Sequence, residues 1–263
     1  MEAVFHILQG FSGVPLWLGL VSGILIGLTG MGGGALLTPA LILLLHKDPG
    51  VAVGTGLVIA AVTKLFGSAS HGRLGNVDTA LVKTMLAGSI PGAVIGFGLL
   101  WSLNHAQIAS ANSVVKTVIG GTLVLAALSL WTRPLWERGV QHAERNPKMV
   151  NLSTIGVAFV VGALVSLTSV GTGTLLVPFL IFFCQLAPSR VVGTDIVHGF
   201  ALTAVVAALY GFGGHVDWAL AGAVVAGAVP GVVFGSHLSL LVSRPAMDKI
   251  LGSVLLVSSV KFF

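Results

Sequence analysis

A cluster of glycines interrupts the first long apolar stretch of this chain, where a membrane-spanning helix would otherwise continue. Residues 28–39 read LTGMGGGALLTP, with four glycines in the five positions from Gly30 to Gly34. Each glycine destabilises a helix by about 1 kcal/mol relative to alanine, so we expect the helix to break here. Residues 167–178, which lie 139 positions later, read LTSVGTGTLLVP and repeat the pattern. The chain therefore contains two copies of one broken segment.

The duplication extends well beyond the glycine clusters. Between Gly23 and Gly96, about 29 of 74 residues are identical to the residue 139 positions later, and no gap is needed. Identity at this level predicts two homologous halves. We therefore divide the chain into a first repeat (1–131), a linker (132–150) and a second repeat (151–263).

The composition indicates an integral membrane protein. Hydrophobic residues make up 55% of the chain and charged residues only 8%, whereas about 25% of the residues in a typical soluble domain are charged. The formal charge of +5 comes mainly from basic residues between the apolar runs. That placement is typical of membrane topology and does not indicate a nucleic-acid partner. The single cysteine, Cys184, excludes an internal disulfide.

Hydropathy predicts the same order of segments in each half: one glycine-broken segment and then three transmembrane helices. In the first half the broken segment covers 14–46, and the spans cover 51–70, 79–101 and 112–131. In the second half the broken segment covers 154–185, and the spans cover 191–209, 218–241 and 246–263. The expected fold is an all-α integral membrane protein with two homologous halves, each containing a glycine-broken helical hairpin.

The orientation of the halves depends on whether each broken segment crosses the membrane or turns back. The arms of the first segment have about 16 and 12 residues and reach about 24 and 18 Å, less than a hydrocarbon core of about 30 Å. If the segments turn back, eight basic loop residues lie on one side and two on the other; if they cross, the split is six to four. Because basic residues concentrate on the cytoplasmic side, we favour returning segments and inverted repeats. The linker 132–150 is then cytoplasmic, and both termini lie outside.

The broken segments are the expected substrate site. Non-helical backbone at membrane depth must be buried in protein or line a water-filled cavity, and matching breaks in two halves indicate a transport site. Each break begins a half-helix whose free N–H groups favour an anion, so the sequence predicts a small-anion site near the midplane. The alternative is that the glycines only permit close helix packing. The candidate glycines and hydroxyl residues are Thr29, Gly30, Gly32, Gly33, Gly34, Thr38, Thr55, Thr168, Ser169, Gly171, Thr172, Gly173, Thr174 and Thr194.

Three ionisable residues lie inside predicted spans, where such residues are expensive and are candidates for function. Lys64 can supply positive charge to the anion, or can snorkel or pair with a carboxylate. Asp195 and His198 are candidates to carry a coupling proton; the structural alternatives are helix capping for Asp195 and hydrogen bonding for His198. Asp78 and Asp217 precede spans and are expected to cap helices.

The repeated motifs together resemble the TauE/SafE family of sulfite exporters. They are the duplicated broken segment, Val-Gly-Thr at 53–55 and 192–194, Gly-x-Val-Asp at 75–78 and 214–217, and Pro-Gly at 91–92 and 230–231. The resemblance covers residues 12–260, nearly the whole chain. It implies a secondary transporter in the inner (cytoplasmic) membrane that moves sulfite, sulfoacetate or related organosulfonates by alternating access. The implied partners are the small sulfur-containing anion, membrane lipid and a coupling ion, either proton or sodium. The direction of transport and the presence of a homo-oligomer stay open.

The sequence also allows functions other than secondary transport of sulfur anions. An anion channel of the same fold, or a transporter of another small organic anion, remains the alternative. An enzyme is not expected, because no HExxH motif occurs and Ser166 and Ser169 lack a G-x-S-x-G surround. No cofactor or metal is expected: Gly30–Ala35 fits the G-x-G-x-x-A pattern, but an apolar helix rather than a strand precedes it.

Overall fold

The computed structural model describes residues 13–29, 34–73, 75–105, 111–138, 147–184, 186, 188–238 and 244–263. All regular secondary structure in these ranges is helical, which confirms the predicted all-α class. The first half contains α1 (Gly13–Thr29), α2 (Gly34–Leu43), α3 (Pro49–Arg73), α4 (Thr79–His105) and α5 (Ala111–Arg138). The second half contains α6 (Pro147–Thr168), a π-helical turn (Thr172–Leu176), α7 (Val177–Cys184), α8 (Pro188–Phe212), α9 (Trp218–Leu238) and α10 (Arg244–Ser259), followed by a 3-10 turn (Val260–Phe262).

In the first half two short apolar helices precede three long ones, as the repeat predicts, whereas in the second half two short helices precede two long ones and the predicted span 246–263 contains the 16-residue α10. Segments of α3, α4, α5, α8 and α9 are long and apolar enough to cross a membrane, and each has at least 21 residues. The two arms of each broken segment form shorter apolar helices, α1 and α2 in the first half and α6 and the π turn with α7 in the second. Helix α5 continues to Arg138 and α6 begins at Pro147, so helix extends into both ends of the polar stretch 132–150.

The most extensive contacts join the two halves rather than neighbours in the chain. Helix α1 packs along α9, and the equivalent helix α6 packs along α4. Small residues let the backbones approach closely, as in many membrane helix pairs. A Cβ added at Gly23 would lie 2.8 Å from the Cα of Ala228, and one added at Gly92 would lie 2.8 Å from the carbonyl carbon of Phe159. These glycines therefore set the distance between the helices of each pair.

Helices α3 and α8 occupy equivalent places in the two repeats and run antiparallel. Near the start of α3, Gly54 faces His215, which follows α8; near the start of α8, Gly193 faces Asn76, which follows α3. The two ends also make matching hydrogen bonds. The hydroxyl of Thr55 accepts a bond from the amide of Asp217, and the hydroxyl of Thr194 accepts one from the amide of Asp78, each at 3.0 Å. An approximate two-fold axis thus passes between α3 and α8.

Asp78 and Asp217 cap helices α4 and α9, as expected. The Oδ1 of Asp217 accepts a bond from the amide of Leu220 at 3.0 Å, and Asp78 makes the equivalent bond to Leu81. Each carboxylate also meets a basic residue: Lys47 lies 2.8 Å from Asp217, and Arg190 lies 3.5 Å from Asp78. Partial burial opposes ionisation of Asp217, but the bonds from Lys47 and from the helix amides outweigh it and hold the pKa of Asp217 below its ordinary value.

We expect Gly92→Ala to destabilise the protein, because the added methyl group would meet the backbone of α6. Gly98→Ala, on the same helix, is the matched control, since nothing lies within 4 Å of its Cβ position. Thermal unfolding in detergent should show a lower melting temperature for Gly92→Ala. Gly98→Ala should be neutral or slightly stabilising, because alanine favours a helix over glycine by about 1 kcal/mol. Equal melting temperatures for both variants would show that this contact does not hold α4 against α6.

Candidate functional site

The second break has a defined backbone geometry. Helix α6 ends at Thr168, and Ser169 and Gly171 then have positive φ angles of 59° and 144°. The hydroxyl of Thr168 accepts a bond from the amide of Val170 at 3.1 Å and donates to Leu164 O at 2.7 Å, which closes the helix end. The φ of Gly171 favours glycine, as the sequence has at this place in both copies. The chain resumes as a buried π-helical turn, a conformation frequent at functional sites.

The two breaks lie in contact. Gly34, the first residue of α2, is buried against Ser169, and a Cβ added to it would lie 2.7 Å from the Ser169 hydroxyl oxygen. The hydroxyls of Thr38 and Ser169 are hydrogen-bonded at 2.6 Å, and both side chains are buried. Gly56 of α3 packs against this pair. The fold thus brings together residues of the two broken segments that are more than 130 positions apart.

Lys64 reaches the second break from the middle of α3. Its side chain is only 7% exposed, and its Nζ donates a 2.6 Å hydrogen bond to the hydroxyl of Thr172, the first residue of the π turn. Gly199 of α8 leaves room for this contact, since a Cβ there would lie 2.8 Å from the Nζ of Lys64. The cationic group therefore lies where the half-helix begins.

Asp195 and His198 face the same region from α8, one helical turn apart. Both are buried, and Asp195 interacts electrostatically with Lys64 and with Arg133. The Nε2 of His198 is hydrogen-bonded to the hydroxyl of Ser89 at 2.9 Å. Because α8 begins at Pro188, Asp195 lies inside the helix and does not cap it.

Three buried polar atoms in this region have no hydrogen-bond partner in the described part of the chain. They are Oδ1 of Asp195, Nδ1 of His198 and Oγ1 of Thr174. A buried polar atom without a partner costs about 1–3 kcal/mol, so each is suited to bind something that enters the site. We use the name polar cluster for Lys64, Thr172, Thr174, Asp195 and His198.

The polar cluster has no counterpart elsewhere in the repeat. The equivalents of Lys64, Asp195 and His198 are Thr203, Gly56 and Ile59. The sequence predicted a site of two similar half-helix ends, whereas the described ionisable groups gather beside the second break. A position-by-position comparison of the two repeats reveals this difference, because it shows where one copy is charged and the other is not.

Some candidate residues lie away from the polar cluster or outside the description. Thr55 and Thr194 bond to the turns before α9 and α4 and so lie at opposite ends of the α3–α8 pair. Gly30, Gly32 and Gly33 lie outside the described residues, and Thr29 is described only as the last residue of α1.

Sequence reasoning missed polar residues that distant helices bring to this region. Ser129 of α5 donates a hydrogen bond to the carbonyl of Thr174, and Ser89 of α4 bonds to His198. Arg133 of α5 lies 3.6 Å from Asp248 of α10, and both side chains are largely buried. No motif identified these residues, because their role depends on packing between elements far apart in the chain.

Five apolar helices long enough to cross a membrane, packed around a buried ionisable cluster, define a multi-pass membrane protein. Residues 16–262 match the sulfite exporter TauE/SafE family, and the chain belongs to that family. It is 40% identical to the probable membrane transporter protein YjnA of Bacillus subtilis (strain 168), over 93% of this chain and 96% of that protein. It is 29% identical to the probable membrane transporter protein YunE of the same organism, over 88% of each chain. No solved structure matches the chain.

We expect the charges of Lys64 and Asp195 to depend on each other. Lys64 and Asp195 are both buried and interact electrostatically, so removing either charge leaves the other with less compensation and destabilises the protein. Lys64→Met and Asp195→Asn should therefore each lower the melting temperature of the purified protein, while the double variant should lose less than the sum. As a control, Lys116→Met, on an exposed position of α5, should be additive with Asp195→Asn. Additive losses for Lys64→Met and Asp195→Asn would contradict the coupling.

Proposed function

We propose that this protein is a secondary transporter that moves small sulfur-containing anions across the cytoplasmic membrane by alternating access. The substrates we propose are sulfite, sulfoacetate and other organosulfonates. One observation carries the proposal: the buried amine of Lys64 is hydrogen-bonded to Thr172 at the start of a half-helix within the membrane region. A buried positive charge beside free helix amides attracts an anion.

The site suits an anion with several oxygens. Sulfite and sulfonate groups present three oxygens, which can accept hydrogen bonds from an ammonium, a hydroxyl and backbone amides together. Lys64 and the hydroxyl of Thr172 provide the first two, and the π turn with Gly173 provides the third. The proposal also includes the first-copy residues Thr29, Gly30, Gly32, Gly33 and Gly34 in the site. Contact between Gly34 and Ser169 supports that arrangement.

The proposal that the substrate contains sulfur rests on the family to which the chain belongs. The family description names sulfite export, while the similar proteins are named only as probable membrane transporters. The donors in the polar cluster also suit other small oxyanions, so a transporter of another organic anion is the alternative. An anion channel fits less well, since a channel needs a continuous water path and Lys64 and Thr172 are buried.

We infer that the two halves have inverted topology. Equivalent helices related by a two-fold axis along the membrane normal run parallel, whereas α3 and α8 run antiparallel, which supports an axis in the membrane plane. The parallel pairing of α1 with α9 supports a returning segment. Helices α1, α3 and α9 then share one direction, and the chain must turn back through α2 to reach the start of α3. Inverted repeats around a central site are a common basis for alternating access.

Cysteine labelling tests this topology at two equivalent turn glycines. Gly75 and Gly214 are both exposed, and nothing lies within 4 Å of their Cβ positions; their positive φ angles of 67° and 72° strain any side chain there, to a similar degree at both positions. With the buried Cys184 replaced by alanine, we expect Gly214→Cys to react with an impermeant maleimide in intact cells. Gly75→Cys should react only after permeabilisation, because inverted repeats place the two turns on opposite faces. Labelling of both from the same side would favour parallel halves.

Ligand binding and uptake test the proposed function directly. We expect sulfite or sulfoacetate to raise the melting temperature of the purified protein more than sulfate, thiosulfate or taurine does. In proteoliposomes, uptake of the stabilising anion should saturate with concentration, unlike flux through a channel.

Gly173→Leu should abolish this uptake while the protein still inserts into the membrane, since Gly173 is buried in the π turn and a leucine side chain there would keep the anion from the turn's amides. Gly222→Leu, at a position of α9 with open space around its Cβ, is the control and should transport normally. Normal transport by Gly173→Leu would remove the second break from the site.

A further inference from the structure

The ionisable groups of the polar cluster are nearly balanced in charge without a substrate. Lys64 is 7% exposed and Asp195 is 3% exposed, and the two interact electrostatically across the contact between α3 and α8. Oδ1 of Asp195 has no hydrogen-bond partner in the described part of the chain. The carboxylate therefore depends on nearby positive charge rather than on hydrogen bonds at this oxygen.

Two charged groups on other helices act on Asp195. Lys64 comes from α3, and Arg133 comes from α5. Arg133 lies 3.6 Å from the carboxylate of Asp248 on α10. Because Arg133 is paired with Asp248, it compensates the charge of Asp195 less than an unpaired arginine would. His198 lies one turn further along α8 itself and is bonded to Ser89. Lys64 is thus the main counter-charge for Asp195.

An anion bound at Lys64 changes this balance. The anion and Asp195 would then share one lysine, and a buried negative charge without a counter-charge is expensive in the membrane interior. The cost is avoided if Asp195 takes up a proton from the aqueous phase that supplied the anion, with an O–H bond forming at the unpartnered Oδ1. When the anion leaves on the other side, Lys64 again attracts a carboxylate, and the proton is released there.

We propose, resting on the proposed function, that Asp195 binds one proton for each anion carried in the same direction, so that the protein is a proton–anion symporter. The same geometry argues against sodium as the coupling ion. A sodium ion at Asp195 would be repelled by the ammonium of Lys64, and this repulsion is strong at low dielectric. A proton bound to the carboxylate forms a neutral acid and leaves the ammonium free for the anion.

Reconstituted protein tests this proposal with ¹⁴C-sulfoacetate as the probe. The membrane potential is held at zero with potassium and valinomycin, so that only the pH gradient drives net movement. A gradient of about one pH unit, alkaline inside, should then accumulate sulfoacetate about tenfold at equilibrium, since one proton accompanies each anion and tenfold corresponds to about 1.4 kcal/mol. A sodium gradient should have no effect.

Asp195→Asn separates net transport from exchange. Because the amide cannot carry a proton, this variant should lose accumulation driven by the pH gradient but retain exchange of labelled for unlabelled sulfoacetate at equal concentrations. Asp48→Asn, which makes the same chemical change in an exposed loop, is the matched control and should keep both activities. Accumulation by Asp195→Asn equal to that of the wild type would overturn the proposal.

If Asp195→Asn does not fold, a measurement on the wild-type protein alone tests the proposal. A pH-sensitive dye inside the vesicles should report acidification when sulfoacetate enters down its gradient. Net entry of sulfoacetate without acidification, or accumulation driven by sodium, would overturn proton coupling and leave the proposed function intact. Absence of both exchange and uptake of sulfoacetate, sulfite and methanesulfonate by folded wild-type protein would instead overturn the proposed function, and the coupling with it.

Discussion

A lysine ammonium buried at the start of a half-helix constrains the rest of this structure. Moving such a group out of water costs several kcal/mol, whereas the hydrogen bond from Lys64 to Thr172 contributes only about 1.5–3 kcal/mol. The hydroxyl therefore cannot hold the charge in place by itself. Asp195, which interacts with Lys64 electrostatically, supplies negative charge nearby, and in the proposed function a bound anion does so as well. The chemistry of the site follows from these two negative partners.

Close helix packing makes the burial of Lys64 feasible. Glycines on α1, α4, α6 and α9 bring the helix pairs of the two halves into backbone contact, which excludes lipid from the centre. Gly199 also permits a close contact, because the absence of a side chain there leaves room on α8 for the amine of Lys64. The described glycines thus have two different roles. Those in the spans pack helices together, while Gly171 permits the left-handed turn that ends α6.

The repeat in the sequence predicted the fold class and the contact between the breaks, because a duplication implies a two-fold arrangement of equal parts. Residues such as Lys64 and Asp195 were identifiable as candidates because charge inside a span is rare. The partners of those residues could not be predicted in this way. Ser89 meets His198 only because α4 packs against α8. Thr55 was predicted to belong to the site, but its hydroxyl accepts a hydrogen bond from the turn before α9. Local spacing cannot distinguish these outcomes, since both depend on contacts between distant helices.

The asymmetry of the polar cluster has a physical reason within a two-fold scaffold. Lys64 faces Gly199 near the middle of the antiparallel pair of α3 and α8, close to the approximate axis. A strict repeat would place a second lysine at position 203, near the first, and two ammonium groups at low dielectric would repel each other strongly. The chain instead has Thr203 there, and it has Asp195 where the first copy has Gly56. In the proposed function, one lysine opposed by one carboxylate keeps the centre near neutrality when no anion is bound, so the two repeats can keep similar helices while only one set of charges lies between them.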